Sequence, residues 1–364
     1  ATITILPTDT WQNNTAATTI PAGSTLIDSS ANFSTFSTTN KLANNGTIIF
    51  CASSLQTIPG QSALVAAPNA SWGNLVINNT SGVTATQSAG NYFHVNNITL
   101  QSGTFTGGSS GGGVTLFIDG TVTAGGGKIT TATAGGTNYG IDMYNLSGPA
   151  QTLPANIFVG NSVSRLTINN ANGVNCNGTI SASLIQLQNN SALTHAGDLS
   201  VASLTIDTLN SFAPLKVSGT ATISGTVRIN KFDTIPYLGQ NLTLIIAGGL
   251  SGSFTSAAIL PTGYTGTVAN SGNNVVLTIT NTPYASYRSK TAAGSSISDV
   301  IDWETFNGTG WVAATKAPAS AAAGSSIIVR PGHIWNNDAI ATIPAGVMLV
   351  DSSSAAASFA QKLT

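Results

Sequence analysis

Charge is what this chain lacks most. Asp, Glu, Lys and Arg make up 6% of its 364 residues, and Glu occurs once, at Glu304. An ordinary soluble domain carries about 25%. With a formal net charge of −1 and no basic patch, the chain offers no field to draw in nucleic acid or an anionic membrane surface. Disordered chains pair low hydrophobicity with high net charge; here 41% of residues are hydrophobic, so order is expected. No apolar run approaches the ~20 residues of a membrane helix. No secretory signal pattern is present, as expected of an internal stretch of a longer chain. Two cysteines, Cys51 and Cys176, lie far apart and read as thiols in different turns rather than as a disulfide framework. The three histidines, His94, His195 and His333, include no pair at metal-ligand spacing. No strong helix pattern is visible; SAAAGSS at 320–326 and SAAASFAQKL at 354–363 are Ala-rich but short.

Thr, Ser, Asn and Gly fill the space that charge leaves, and within them one stretch occurs twice. WQNNTAATTIPAGSTLIDSS at 11–30 returns as WNNDAIATIPAGVMLVDSS at 335–353. Trp11, Pro21, Gly23 and Asp28 thus have counterparts in Trp335, Pro344, Gly346 and Asp351. Pro7 and Pro331 stand equally far ahead of the two Trp. The offset is 324 residues at the Trp and 323 at Ile20 and Ile343. The sequence reads as slightly more than one period of a tandem array.

Between the two copies short β-branched clusters recur. Examples are Leu75–Ile77, Ile98–Leu100, Val114–Ile118, Leu166–Ile168, Leu184–Leu187, Ser203–Ile206 and Thr220–Ile229. Asn pairs flank several of them (Asn78–Asn79, Asn96–Asn97, Asn169–Asn170, Asn189–Asn190), and LVINNTSGV at 75–83 is echoed by LTINNANGV at 166–174. That offset of 91 residues fits about four coils of a solenoid. Coils that cannot bury an apolar face alone form one core by stacking. Asn suits their corners because it tolerates left-handed backbone angles. The expected fold is all-β, a right-handed parallel β-helix with a β-rich junction module; tandem β-sandwiches are the alternative. Residues 1–60 read as the opening module of one repeat and 61–232 as coils. Residues 233–282 read as the β-rich end of the stack, and 283–364 as the junction and start of the next repeat.

The junction gathers Arg288, Lys290, Asp299, Asp302 and Glu304 together with Trp303 and Trp311. YRSKTAAGSSISDVIDWETFNGTGWVAATKAPASAAAGSSIIVRPGHIW, from Tyr287 to Trp335, resembles the opening module of giant secreted surface proteins of Bacteroidota. Trp303, Trp311, Ala313, Thr315, Pro318, Ile328, Arg330, Gly332 and His333 stand at the matching places; the Gly-x-Trp usual after the Ser is replaced by AGSSIS. Residues 216–280 similarly resemble the terminal part of adhesin-type β-helix passengers. The resemblance implies export, display at the cell surface, and work in adhesion, gliding or capture.

Chemistry-bearing motifs are few. GGSSG at 107–111 fits the form of a nucleophile elbow but has neither the helix nor the partners that motif needs. Asp299, Asp302 and Glu304 are weak candidates for calcium, which needs a shell of oxygens. Asp302 and Glu304 would share a face of an alternating strand, and the plainer reading pairs them with Arg288 or Lys290. Trp11, Trp72 and Trp335 have the ring for stacking on sugars, but the recurrence of Trp11 as Trp335 points to structure. The acids of residues 1–290 look isolated. No cofactor is expected. The sequence therefore reads as a non-enzymatic structural and adhesive repeat of a long extracellular fibre protein. Its expected partners are neighbouring repeats, further chains of a homo-oligomer or fibre, and surface glycans or a host or prey cell surface; no nucleic acid and no membrane insertion are expected. A polysaccharide-binding or -cleaving β-helix is the alternative, and an ice- or crystal-binding solenoid ranks third because its Thr-x-Thr pieces do not recur once per coil.

Overall fold

The structure is a computed structural model. It describes residues 1–9, 17–31, 33, 41–59, 71–85, 92–107, 115–130, 140–210, 212–292, 295–335 and 342–353. Strand accounts for 56% and helix for 3%, and the parallel strands stack as a β-solenoid of about 13 turns. Trp11, the Gly-rich run from 108 onward and the Ala-rich 354–363 lie outside the described residues. Two compact units divide the chain: residues 1–230, 243–255 and 270–275, and residues 231–242, 256–269 and 276–364.

In the first unit each coil pairs with the next along parallel ladders. One ladder runs Thr2–Ile5, Thr25–Asp28, Thr47–Phe50, Asn74–Asn78, Asn97–Ser102 and Val122–Ala124. A second runs Gln56–Ile58, Val83–Ala85, Thr104–Gly107 and Lys128–Thr130. A third starts at Tyr92–Val95, Thr115–Ile118, Gly140–Tyr144, Ser162–Asn169 and Ile180–Leu187. Beside it, Gln151–Leu153, Val174–Asn177 and Leu193–Ala196 pair in turn. Sandwiches are built of antiparallel sheets, so the sandwich alternative is excluded for this unit. Strands of residues 1–60 share the first ladder with the coils after them.

Register makes the core. Side chains alternate faces along a strand, so in-register parallel pairing stacks like on like. Ile3, Leu26, Ile48, Leu75 and Ile98 form one such column, buried from Leu26 onward. Phe33, Phe50, Trp72, Phe93 and Phe105 join ring to ring inside the coils; Trp72 lies parallel to Phe93 at 5.6 Å. Trp72 is fully buried, which removes it as a sugar platform.

The echoed Asn pairs build one corner twice, though the two strands leading into it belong to different ladders. Asn79 and Asn170 are both buried. Each side-chain oxygen accepts from the N–H two residues on, at 2.8 Å from Ser81 and 2.9 Å from Asn172. Each amide nitrogen reaches back to the previous coil, to Ser54 and Gln56 in one case and Pro149 and Gln151 in the other. The positive φ of these corners falls on Gly82 and Gly173, at 94° and 81°, while the pair Asn189–Asn190 is left-handed at φ 50° and 57°. Asn-to-Asn ladders form elsewhere, from Asn97 to Asn74 (2.7 Å) and from Asn189 to Asn169 (2.5 Å). Gly103 is a steric requirement of the first corner: a Cβ there would sit 1.7 Å from the Asn79 carbonyl oxygen.

The second unit includes a mixed sheet. Ser286–Ser289 pairs antiparallel with Trp303–Phe306, which pairs with Trp311–Ala313. On its other side Ser286–Ser289 pairs parallel with Ser326–Val329, and that strand with Met348–Asp351. The described residues contain only short 3-10 turns as helix, at Val159–Asn161, Val300–Asp302 and Pro318–Ser320.

Candidate functional site

The duplicated sequence is a duplicated rung. Thr2 to Ile5 pair with Thr25 to Asp28, and Ser326 to Val329 pair with Met348 to Asp351, in the same register. The tight turns agree. Ser24 N donates to Pro21 O at 3.1 Å and Val347 N to Pro344 O at 3.1 Å. Gly23 and Gly346 sit at φ 74° and 77°, the positive angle that a type II turn demands of its third residue. The cross-strand bonds agree too, Ser29 N to Ile5 O and Ser352 N to Val329 O, both 3.0 Å. Asp28 and Asp351 each accept from the N–H two residues on, at 3.0 and 2.9 Å. The shared Asp-Ser-Ser therefore encodes a turn. In the first copy the next coil adds to it: Gln56 Nε2 donates to the Asp28 carboxylate at 3.2 Å. There Asp28 is fully buried, and burial holds its pKa above the usual carboxylate range despite the Ser30 and Gln56 bonds.

The second copy is roofed by the residues ahead of it. Tyr287, Ile297, Trp303, Ala321, Ile327, Val329 and Trp335 form one buried cluster, with Ile343, Val347 and Leu349 packed against it. Trp303 Nε1 donates to Ser296 O at 2.7 Å, which satisfies the indole's one polar atom inside the cluster. Trp311 is only half-buried; Phe306 meets it edge-on and the Arg288 guanidinium lies over its ring at 4.4 Å. Arg288 Nε also donates to Glu304 at 2.7 Å.

The weak calcium candidates are not gathered into a shell. Asp299 accepts from Ile301 N, Asp302 from Ser296 N, and Glu304 from Arg288. Asp302 ends a 3-10 turn and the strand starts at Trp303, so Asp302 and Glu304 do not share a strand face as alternation suggested. No group of three or more His, Cys, Asp or Glu side chains suited to a metal occurs among the described residues.

One cluster escaped the sequence reading. On the outward face of the third ladder His94, Phe117 and Asp142 stand in register. The rings of His94 and Phe117 stack at 4.4 Å, and Tyr144 meets Phe117 edge-on at 5.8 Å. His94 Nδ1 is 3.7 Å from Asp119, and the Arg165 guanidinium donates to Thr115 at 2.5 Å. Burial pushes the Asp142 carboxyl up to about 7, with Arg165 opposing and Asp119 adding to the rise. The acids look isolated in sequence because His94, Asp119, Asp142 and Arg165 are one coil apart; the coil length itself was the signal. Asp142 is 6% exposed and its Oδ1 is enclosed, so this group does not face solvent where a polymer would lie.

The other candidates are structural. His195 is buried, 3.0 Å from Asp198 O, and burial lowers its pKa. His333 closes a turn onto Arg330 O rather than lying in a strand, and Asp9 closes the equivalent turn onto Leu6 O. Cys51 and Cys176 are both free; Cys51 is half-buried, and burial pushes the Cys176 thiol up to about 12. A groove of about 420 Å³ lined in part by Gly120, Thr121, Asn145 and Gln151 carries no titratable side chain among the described residues. Comparison with protein-family models, with curated proteins and with solved structures found no match to the chain.

Proposed function

We propose that this chain is a structural and adhesive repeat of a very long extracellular or cell-surface fibre protein. The observation that carries the reading is the rung that returns 324 residues later with the same register and turns. Stacked coils tolerate such repetition because each coil needs only its neighbours. Low charge supports side-by-side assembly, since copies of such a surface repel one another weakly. The side chains that recur between copies serve turns and core, which is work of construction and display; the partners are neighbouring repeats, sister chains and the glycans or cell surface to which the fibre attaches. The test is the full-length gene. Further IPAG-x-x-[LM]-[IV]-D-S-S strings should appear at intervals near those of the first pair, and electron micrographs of the whole protein should show a filament. A gene holding only this pair would overturn the reading.

Polysaccharide binding or cleavage is the second reading, and the His94, Asp119, Asp142 and Arg165 cluster is what favours it. A carboxyl held near neutral pH beside a second acid is a pattern of acid–base sites. The burial of Asp142 weighs against it. Release of reducing ends from acidic or neutral polysaccharides, lost in Asp119→Asn, would establish this second reading in place of the first.

A further inference from the structure

The first rung is open on the side where its later copy is closed. Ile3 heads the column whose next members, Leu26 and Ile48, are 1% and 0% exposed, yet Ile3 itself is 56% exposed. Beside it lies a groove of about 240 Å³ lined by Ile3, Ile20, Pro21, Ser24 and Leu26, among others. Thr2–Ile5 is an edge strand of its sheet, and an apolar edge strand is a template for an added strand.

The later copy shows what fits. Ile327, the counterpart of Ile3, is fully buried under Tyr287, Ile297, Trp303 and Ala321. Ser286, Tyr287 and Arg288 pair with Ser326, Ile327 and Ile328, and Ser326 N donates to Ala285 O at 3.0 Å. Against the cluster that holds Ile327 pack Ile343, Val347 and Leu349, the counterparts of Ile20, Ser24 and Leu26 in the groove.

We propose that the groove and edge of the first rung are the seat of a second copy of the segment 283–324, docked as a parallel strand with Ser286 against Thr2, Tyr287 against Ile3 and Arg288 against Thr4. Its Trp303 closes over Ile3 and Ile20. This rests on the array reading and says which part of one repeat grips which part of the next. The seam between repeats is then a continuation of the first ladder rather than a flexible linker, because the added strand extends the same hydrogen-bonded sheet.

The test uses the full chain with residues 283–324 repeated directly ahead of Ala1, so that Ala1 takes the place of Ser325. Amide hydrogen exchange in Thr2–Ile5 should slow by roughly 100-fold or more, since an open edge joins a packed sheet. Trp303→Ala in the added copy alone should restore the fast exchange. Ile3→Asp gives a second measurement that does not depend on the added segment folding: it should leave the denaturation midpoint of the unextended chain unchanged and lower that of the extended chain. Unslowed exchange together with equal effects of Ile3→Asp in the two chains overturns the proposal, while the array reading still stands or falls on the gene. Slow exchange in the unextended chain that depends on its concentration assigns the groove to a second first rung and also overturns it.

Discussion

The first rung and its later copy have closely related sequences and the same turn and cross-strand hydrogen bonds, but different burial. Ile3 is 56% exposed and Ile327 is buried; Asp28 is buried and Asp351 is exposed; Leu26 is buried and Leu349 only half so. The first copy has coils on its far side, and the second has the Trp303 module on its near side. Burial at a repeated position is therefore a property of the neighbours, whereas the turn is a property of the segment.

The largest test of that contrast is a pair of truncations. Trp303→Ala should cost roughly 3–5 kcal/mol, the usual loss for a fully buried Trp, read as a lower denaturation midpoint for the 286–329 sheet in hydrogen exchange. Ile3→Ala should stay within about 0.5 kcal/mol, as an exposed position does. Equal costs would mean that the two copies are not differently covered.

Charge sharpens the same comparison. Arg288 and Glu304 are paired and partly exposed, while Asp142 in the coils is buried and its pKa is raised to about 7 from 3.8. A carboxyl whose folded pKa is raised contributes stability that is complete below the unfolded value and is lost as pH rises through the folded one. The coils should thus be more stable at pH 5 than at pH 8, by up to about 3 kcal/mol from this group, since about two pKa units lie inside that window at 1.36 kcal/mol each. Asp142→Asn, which mimics the neutral acid beside Arg165, Asp119 and His94, should flatten that dependence. A wild-type denaturation midpoint that falls on acidification from pH 8 to pH 5 would count against the buried carboxyl.

The echoed corner offers an intermediate effect. Asn79→Ala and Asn170→Ala should each cost roughly 2 kcal/mol, because each removes the bonds that tie the corner's backbone N–H and the previous coil's carbonyl to one buried amide. Matching losses in chemical denaturation would show that the two corners are energetically one device. The smallest effect belongs to the turn. Gly23→Ala and Gly346→Ala should each cost about 1–2 kcal/mol for placing a Cβ at positive φ, with Gly346→Ala the dearer because its Cβ would meet the Ala323 methyl at 3.0 Å while Gly23 faces open space. Equal costs, measured by exchange at Ser24 and Val347, would show that the neighbours do not reach the turn.

Much of the coil stack was legible because its causes are local. The clusters at Leu75–Ile77, Ile98–Leu100 and Leu166–Ile168 became strands, since β-branched runs bounded by Asn and Gly have few other packed solutions. Asp302 was misplaced because a 3-10 turn costs no sequence signature, and its bond from Ser296 N depends on the fold. Trp72 looked available because exposure is not written in an aromatic residue. The His94 to Arg165 cluster was illegible until the coil lengths were known, because its members approach only when those coils stack.

The sequence by itself determined the ladder's ingredients: alternating apolar residues, glycine where a turn needs positive φ, and a period long enough to bring the opening rung back. These follow from short-range sterics and from the poverty of charge. Only the tertiary structure decided which face of each rung is covered, which carboxyls lose their water, and that Trp303 roofs Ile327. Those outcomes depend on what is stacked against a strand, and in a solenoid that is always another coil, distant in sequence by a whole turn or more.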